Sequence, residues 1–370
     1  MTIGSEQLKK IKISGYKSIK KCELKLDRIN VLIGSNGAGK SNFISAFALL
    51  QKILNKELQI TVAQSGLHSM FYNGIKQTDR IYMEVFFGNN SYGFYLMPTD
   101  DNRLVFEKEF YGYDGNFSHD STIQNSIGQP ESAWETGVSN RIDEYVRPIL
   151  EKQNWRVYHF HDTGRTSKMK QEHNLSNNIM LMSDASNLAA FLYRLKNHYP
   201  KSYREIVSVV QLIAPYFKDF VLKPQEYNPE QIVLRWQQKG CEDIFNASQF
   251  SDGTLRFICL ATLLKQPSEL QPETIILDEP ELGLHPYAIT VFAEMVRQAS
   301  LNKQIIISTQ SVELLNAFEP EDVVVVDRSA DGSVFRRLNR QELDDWLESD
   351  YALGDLWKKN LIGGRLSDAN

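Results

Sequence analysis

Gly34-Ser35-Asn36-Gly37-Ala38-Gly39-Lys40-Ser41 is the stretch on which the reading of this chain turns. Its spacing is G-x-x-x-x-G-K-[ST]. In such a turn successive backbone N–H groups converge on one point, and the helix that follows adds the positive end of its dipole. The flanks fit. Ile29-Asn-Val-Leu-Ile33 predicts an apolar strand entering the turn, and Phe43 to Leu50 predicts a helix leaving it. The expected ligand is a nucleoside triphosphate. Lys40 is expected to reach its β- and γ-phosphates and Ser41 to coordinate Mg2+. Gly34, Ser35, Asn36, Gly37, Ala38, Gly39 and Asn42 would form the rest of the cradle.

Composition sets the frame around this loop. The 370 residues, 42% hydrophobic and 24% charged, suit a soluble globular chain of one large or two ordinary domains. A net charge of -5 gives no global attraction to nucleic acid. Locally, Lys9, Lys10, Lys12, Lys17, Lys20, Lys21, Lys25 and Arg28 crowd one short segment, read either as a solvated strand face or as a DNA-binding patch. Cys22, Cys241 and Cys259 lie far apart without metal-ligand spacing, so a reducing compartment is expected. With no signal peptide and no run long enough to span a bilayer, the expected setting is cytoplasmic, with no membrane partner.

Along the chain, Leu8 to Leu26 alternates as two strands. Ile81–Phe87, Tyr92–Leu96 and Leu104–Phe106 predict a β meander, and the polar segment 112–140 reads as a loop or insertion. Trp155–Phe160 reads as a strand ending at His161-Asp162-Thr163. Leu188, Phe191, Leu192 and Leu195, then Ile206, Val210 and Ile213, fall at helical spacing and predict a small helical lobe. Ile232, Leu234 and Trp236 read as a strand returning from it. Thereafter helices (Leu255–Leu264, Tyr287–Ala299) alternate with apolar runs (Thr274–Leu277, Gln304–Ser308, Asp322–Val326). That pattern argues for a parallel sheet covered on both faces. Ala330–Ser333 reads as a hairpin turn, and Leu343, Trp346 and Leu347 mark a terminal helix.

Two further segments belong with the phosphate loop. Thr274-Ile-Ile-Leu-Asp278-Glu279 is an apolar strand ending in two acids, the form of a Walker B element. Asp278 would support Mg2+, and Glu279 would polarise the attacking water as the catalytic carboxylate. Phe250-Ser251-Asp-Gly253-Thr-Leu-Arg256 opens a helix with a small hydroxyl residue and a glycine, a second anion-binding N-terminus.

Together these segments, with the strand ending Ser308-Thr-Gln-Ser311, resemble the ABC-class ATPase head. They are closer to its RecF, SMC and OLD-like branch than to transporters. Ile13-Ser-Gly-Tyr-Lys-Ser-Ile19 is similar to the strand-turn that opens that branch. Asp278-Glu-Pro-Glu-Leu-Gly-Leu-His-Pro286 resembles the Walker B and D-loop stretch of OLD-like and related compact predicted bacterial ATPases. Val157-Tyr-His-Phe-His-Asp-Thr163, Asn187-Leu-Ala-Ala-Phe-Leu-Tyr-Arg194 and Leu353-Gly-Asp-Leu-Trp357 look like recurring segments of the same group.

The resemblance implies an α/β P-loop NTPase head with an N-terminal antiparallel β meander and an inserted helical lobe. Its parts would be 1–162 (P-loop and meander), 163–245 (lobe) and 246–370 (signature-like motif, Walker B and switch strand). It implies Mg2+ and ATP sandwiched in a head-to-tail homodimer or higher homo-oligomer, with Ser251 and Gly253 contacting the γ-phosphate in trans. Lys17 falls where the branch carries a basic residue near the phosphates, and His161 and Asp162 fall in the Q-loop region. Gln310 stands where the class usually carries a switch histidine; it can hydrogen-bond a phosphate or water but cannot take a proton at neutral pH. His285 reads as a D-loop or interface residue. The function expected is an ATP-gated dimerising ATPase in nucleic-acid maintenance or phage defence. The alternative is a regulatory ATPase controlling a partner effector protein. An autonomous OLD-type nuclease is disfavoured, because only about forty residues follow the Val323 run, short of an ordinary domain. A guanine-reading Asn-Lys-x-Asp motif is absent, which disfavours a GTPase.

Overall fold

A computed structural model describes residues 7–114, 118–136, 141–152, 154–347 and 351–364. The chain forms two compact units, 1–156 with 319–370 and 157–318. Each is described by itself.

The first unit opens with an antiparallel sheet. β1 (Lys10–Tyr16) and β2 (Ile19–Lys25) form a hairpin whose two-residue turn, Lys17-Ser18, holds Lys17 at φ +49°. β3 (Ile29–Ile33) leads through the glycine-rich turn into α1 (Lys40–Leu54), with short α2 (Leu58–Ser65) and α3 (Leu67–Met70) behind it. β4 (Ile81–Phe87), β5 (Asn90–Pro98), β6 (Leu104–Asp114) and β7 (Ser118–Thr122) then complete the sheet in the order β2-β1-β4-β5-β6-β7. Alternation sets its faces: Ile11, Ile13, Met83 and Val85 are buried, whereas Lys12 turns the other way and pairs with Glu84, its cross-strand neighbour, at 3.3 Å.

α4 (Arg141–Lys152) lies against β5 and β6 and buries Val146 and Leu150. The segment 112–140 is thus no simple loop: its described residues extend β6, add β7 and make two short 3-10 turns. The backbone polarity of Ser118–Thr122 is satisfied by pairing with β6. β8 (Trp155–Tyr158) closes this half of the sequence and is shorter than the strand expected through Phe160.

The second unit contains two helices of the expected lobe, α5 (Leu188–His198) and α6 (Pro200–Ile213), with α6 beginning on a proline. Around them are small sheets. β9 (His173–Asn174) pairs with β11 (Gln231–Ile232), and β12 (Arg235–Gln238) lies between β10 (Phe217–Phe220) and β13 (Ile244–Asn246). The single returning strand expected through Ile232, Leu234 and Trp236 is therefore two strands in two sheets. Trp236 is captured by rings, stacking on Phe250 at 4.5 Å and on Phe245 at 4.8 Å.

α7 (Asp252–Lys265) packs on α6 and on α8 (Pro286–Ser300). α8 connects β14 (Thr274–Asp278) to β15 (Gln304–Thr309), a parallel pair with Asp278 opposite Ser308. α9 (Val312–Leu315) ends the unit.

Back in the first unit, β16 (Val323–Ser329) runs parallel to β3 and antiparallel to β17 (Gly332–Arg337), and α10 (Asp344–Leu347) and α11 (Leu353–Lys358) follow. The terminal helix expected around Leu343–Leu347 is thus a single turn, with a separate helix after it. β3 and Val323–Val326 are wholly buried, which explains why both are apolar apart from Asn30.

Candidate nucleotide site

The phosphate loop has the conformation its sequence requires. Gly37 and Gly39 take φ +78° and +118°. At Gly39 a Cβ would lie 2.1 Å from Ser333 Oγ, so the residue is fixed by both dihedral and contact. Lys40 is buried and donates to the carbonyls of Gly34 (2.7 Å) and Ser35 (3.1 Å), curling over its own loop. The loop is braced from three places in the first unit. Ser333 Oγ donates to Ala38 O (2.5 Å), and Asn42 Nδ2 donates to Ser18 Oγ (2.7 Å). Gly364 O accepts from Ser35 N (2.5 Å), while Gly364 N donates to Asp327 Oδ1 (2.6 Å).

Lys17 reaches α1 and donates to Ser45 Oγ at 3.0 Å; burial lowers its pKa. The neighbouring lysines are largely engaged. Lys10 meets Asp114 at 2.9 Å and the exposed Lys20 meets Asp331 at 2.6 Å, while Lys9, Lys21, Lys25 and Arg28 are also exposed.

The second unit holds the two acids. Asp278 ends β14, and its Oδ1 accepts the Ser308 hydroxyl from the neighbouring strand. Glu279 takes φ +43°, a rare conformation for a side-chain-bearing residue. It is held there by its N–H to Ser308 O (2.9 Å). The strained turn aims Glu279 Oε1 at Gln310, whose Nε2 donates to it. The two acids thus have separate partners, Ser308 and Gln310.

Two residues beyond is a group that the sequence did not single out, although it sits inside the quoted Asp278–Pro286 stretch. Glu281 is 9% exposed; its Oε1 accepts from Thr309 Oγ1 (2.6 Å) and Gln310 N (3.2 Å), and its Oε2 has no partner among the described residues. Burial raises its pKa.

The signature-like segment forms the N-terminus of α7. Ser251 is the N-cap, accepting from Thr254 N at 3.1 Å. Gly253 abuts the Gly283 turn so closely that a Cβ would lie 2.4 Å from Gly283 O. Ser251, Gly253, Thr254, Gly283, His285 and Tyr287 border an open hollow of about 150 Å3. One turn along, Arg256 is 6% exposed and spans the carbonyls of Phe160 (3.0 Å) and His161 (3.1 Å). Asp162 caps the following turn through Gly164 N at 3.3 Å. His159 and His161 lie beside Asp278. His159 is exposed at the surface, yet partial desolvation by its neighbours lowers its pKa; Asp278 opposes that shift and His161 adds to it.

Comparison with known proteins gives the same class. A model described as "AAA ATPase domain" matches residues 7–124. The head-domain fold recurs in the crystal structure of the SmcHead bound to the C-winged helix domain of ScpA, at TM-score 0.60 and 14% identity over 90% of this chain and 99% of that one. It recurs also in the Smc head domain with an extended coiled coil bound to the C-terminal domain of ScpA from Pyrococcus furiosus, at TM-score 0.54 and 14% identity over 93% and 99%. The Old nuclease of Escherichia phage P2 is 24% identical over 387 aligned residues, 93% of this chain and 63% of the relative, so the chain spans under two thirds of that protein. Fold and motifs define an ATPase of the ABC, SMC and OLD-like P-loop class.

Within that class the chain belongs to the family described as "AAA domain, putative AbiEii toxin, Type IV TA system", whose model matches residues 116–316. Among the described residues no helix is long and apolar enough to cross a membrane.

Proposed function

We propose that this chain binds Mg-ATP on its phosphate loop and hydrolyses it within an ATP-gated head-to-tail dimer. The observation that carries the reading is the division of labour at the end of β14. Asp278 is held by Ser308, and Glu279 is strained towards Gln310. Asp278 and Ser41 would hold Mg2+; a carboxylate and a hydroxyl are the oxygen donors that hard ion takes. Glu279 would orient the attacking water, with Gln310 fixing the carboxylate rather than accepting a proton. Lys40 and the loop amides from Gly34 to Asn42, with Lys17 alongside, would bind the phosphates. Ser251 and Gly253, bordering an open hollow at a helix N-terminus, are suited to cover a partner's γ-phosphate. We read the working parts as 1–162, 163–245 and 246–370, a functional division distinct from the two compact units. Three unpaired cysteines suit a cytoplasmic setting.

The output we favour is nucleic-acid maintenance or anti-phage defence, supported by the names of the family and of the phage relative. The pairing of Lys10, Lys12 and Lys20 with acids favours a second reading, control of a partner effector protein without direct nucleic-acid contact.

The test is the solution mass of Glu279→Gln with and without Mg-ATP, beside Ser251→Arg. ATP should drive the first to a dimer, and the Ser251→Arg substitution should block that step. A chain that binds ATP tightly and stays monomeric would defeat the gated dimer.

A further inference from the structure

One cluster joins a Walker B acid to two histidines that lie outside the nucleotide motifs. His159, His161 and Asp278 each turn one ligand-capable atom to a common point, with those atoms within 4.8 Å of one another. The cluster lies wholly within the second unit. We propose that these three residues hold a divalent transition-metal ion of the Zn2+ or Co2+ kind in preference to Mg2+.

The donor set argues for the ion. Two of the three ligands are imidazoles, which suit borderline first-row metals, whereas Mg2+ takes oxygen and sheds water reluctantly. Three protein ligands leave one tetrahedral position open, the arrangement of metal sites that also bind water or substrate. A bond of about 2.1 Å to each ligand needs a modest inward turn of the side chains. His159 faces solvent and has room to make it.

The backbones behind the ligands are fixed. His159 N donates to Ser183 O at 2.9 Å, and Arg256 grips the carbonyls of Phe160 and His161. Ser308 orients Asp278 by its hydroxyl. Such outer partners hold first ligands in register and sharpen affinity. His159 and His161 lie two residues apart in the irregular segment that follows β8. Their ring centroids are 6.3 Å apart.

The site shares Asp278 with the proposed Mg-ATP site, so any role of the ion in hydrolysis rests on the ATPase reading. The test is therefore run without nucleotide. The chelator-treated full chain is titrated with Co2+ and followed by its visible ligand-field bands. One Co2+ should bind per chain, be displaced by Zn2+ and resist a hundredfold excess of Mg2+, a ratio on the order of that expected for nitrogen-rich sites. His159→Ala and His161→Ala should each weaken binding at least about tenfold. His198→Ala, at the distant end of α5, should not. Direct ligation is read on the unaltered chain, as two strongly shifted, exchangeable imidazole N–H proton resonances in the Co2+ form. Displacement by comparable Mg2+, equal binding by the double histidine variant, or absence of those resonances would each overturn the proposal. Loss of ATP hydrolysis alone would touch the ATPase reading and leave the titration intact.

Discussion

Replacing Gly253 with alanine sets two effects of opposite sign against each other. Gly253 is the second residue of α7, after the Ser251 cap. Alanine is favoured over glycine by up to about 1 kcal/mol in a helix interior, and by less in the first turn. Propensity alone therefore predicts a slightly more stable protein. The contact predicts otherwise. The new Cβ would stand 2.4 Å from Gly283 O and 3.4 Å from its carbonyl carbon, against backbone that no rotamer change can move. Overpacking of this kind costs about 1–3 kcal/mol, so a net loss of about 1–2 kcal/mol is expected. Urea denaturation of Gly253→Ala and the parent chain, at equal m, measures the difference. The strain should also shift the signature turn against the Gly283 turn and weaken Mg-ATP-dependent dimerisation of the Glu279→Gln protein. A variant as stable as the parent or more so would refute the steric argument, and show that the two turns separate at little cost.

Three further outcomes follow from the site. Arg256→Lys retains charge but loses the fork that spans two carbonyls; leaving Phe160 O or His161 O unpaired should cost about 1–3 kcal/mol, and equal denaturation midpoints would sink that view. Ser333→Ala removes the hydroxyl that braces Ala38 O and should cost about 1 kcal/mol of stability and weaken ATP binding, read by nucleotide titration; unchanged affinity would show that the loop holds its shape alone. Glu281 has a folded pKa raised by burial. Its stabilising effect is present below the ordinary value of 4.5 and is lost as pH rises through the folded pKa. Glu281→Gln should gain melting temperature relative to the parent as pH rises above that value, and a difference independent of pH would contradict a buried, proton-holding carboxyl.

The parts of the fold that a sequence displays are those with a simple period. β4 and β5 alternate, α5 and α6 repeat apolar residues at helical spacing, and Val31–Ile33, Ile275–Leu277 and Ile305–Ile307 are short apolar runs in β3, β14 and β15. β7 is Ser-His-Asp-Ser-Thr, with no apolar residue to mark it; only pairing with β6 makes it a strand. α4 repeats Ile142, Val146, Ile149 and Leu150 at helical spacing, but Pro148 inside the run argues against a helix, so its period alone did not decide the element. Around the site, Lys40, Asp278 and Glu279 are legible because their spacing is local. Arg256 and Glu281 are not, because their roles arise from carbonyls and amides brought close by folding. The same holds for His159 and His161, which acquire a carboxylate neighbour only in three dimensions.

The tie between Ser35 N and Gly364 O has a consequence for how the protein is made. The phosphate loop leaves the ribosome more than 300 residues before the carbonyl that completes its bracing. The same delay applies to Ser333 and to β16, which lies beside β3. The second unit, by contrast, is one continuous stretch and can settle as soon as residue 318 has emerged. The first unit must hold its opening half unfinished meanwhile. A chain halted between residues 318 and 364 would thus combine an unbraced phosphate loop with a completed second unit.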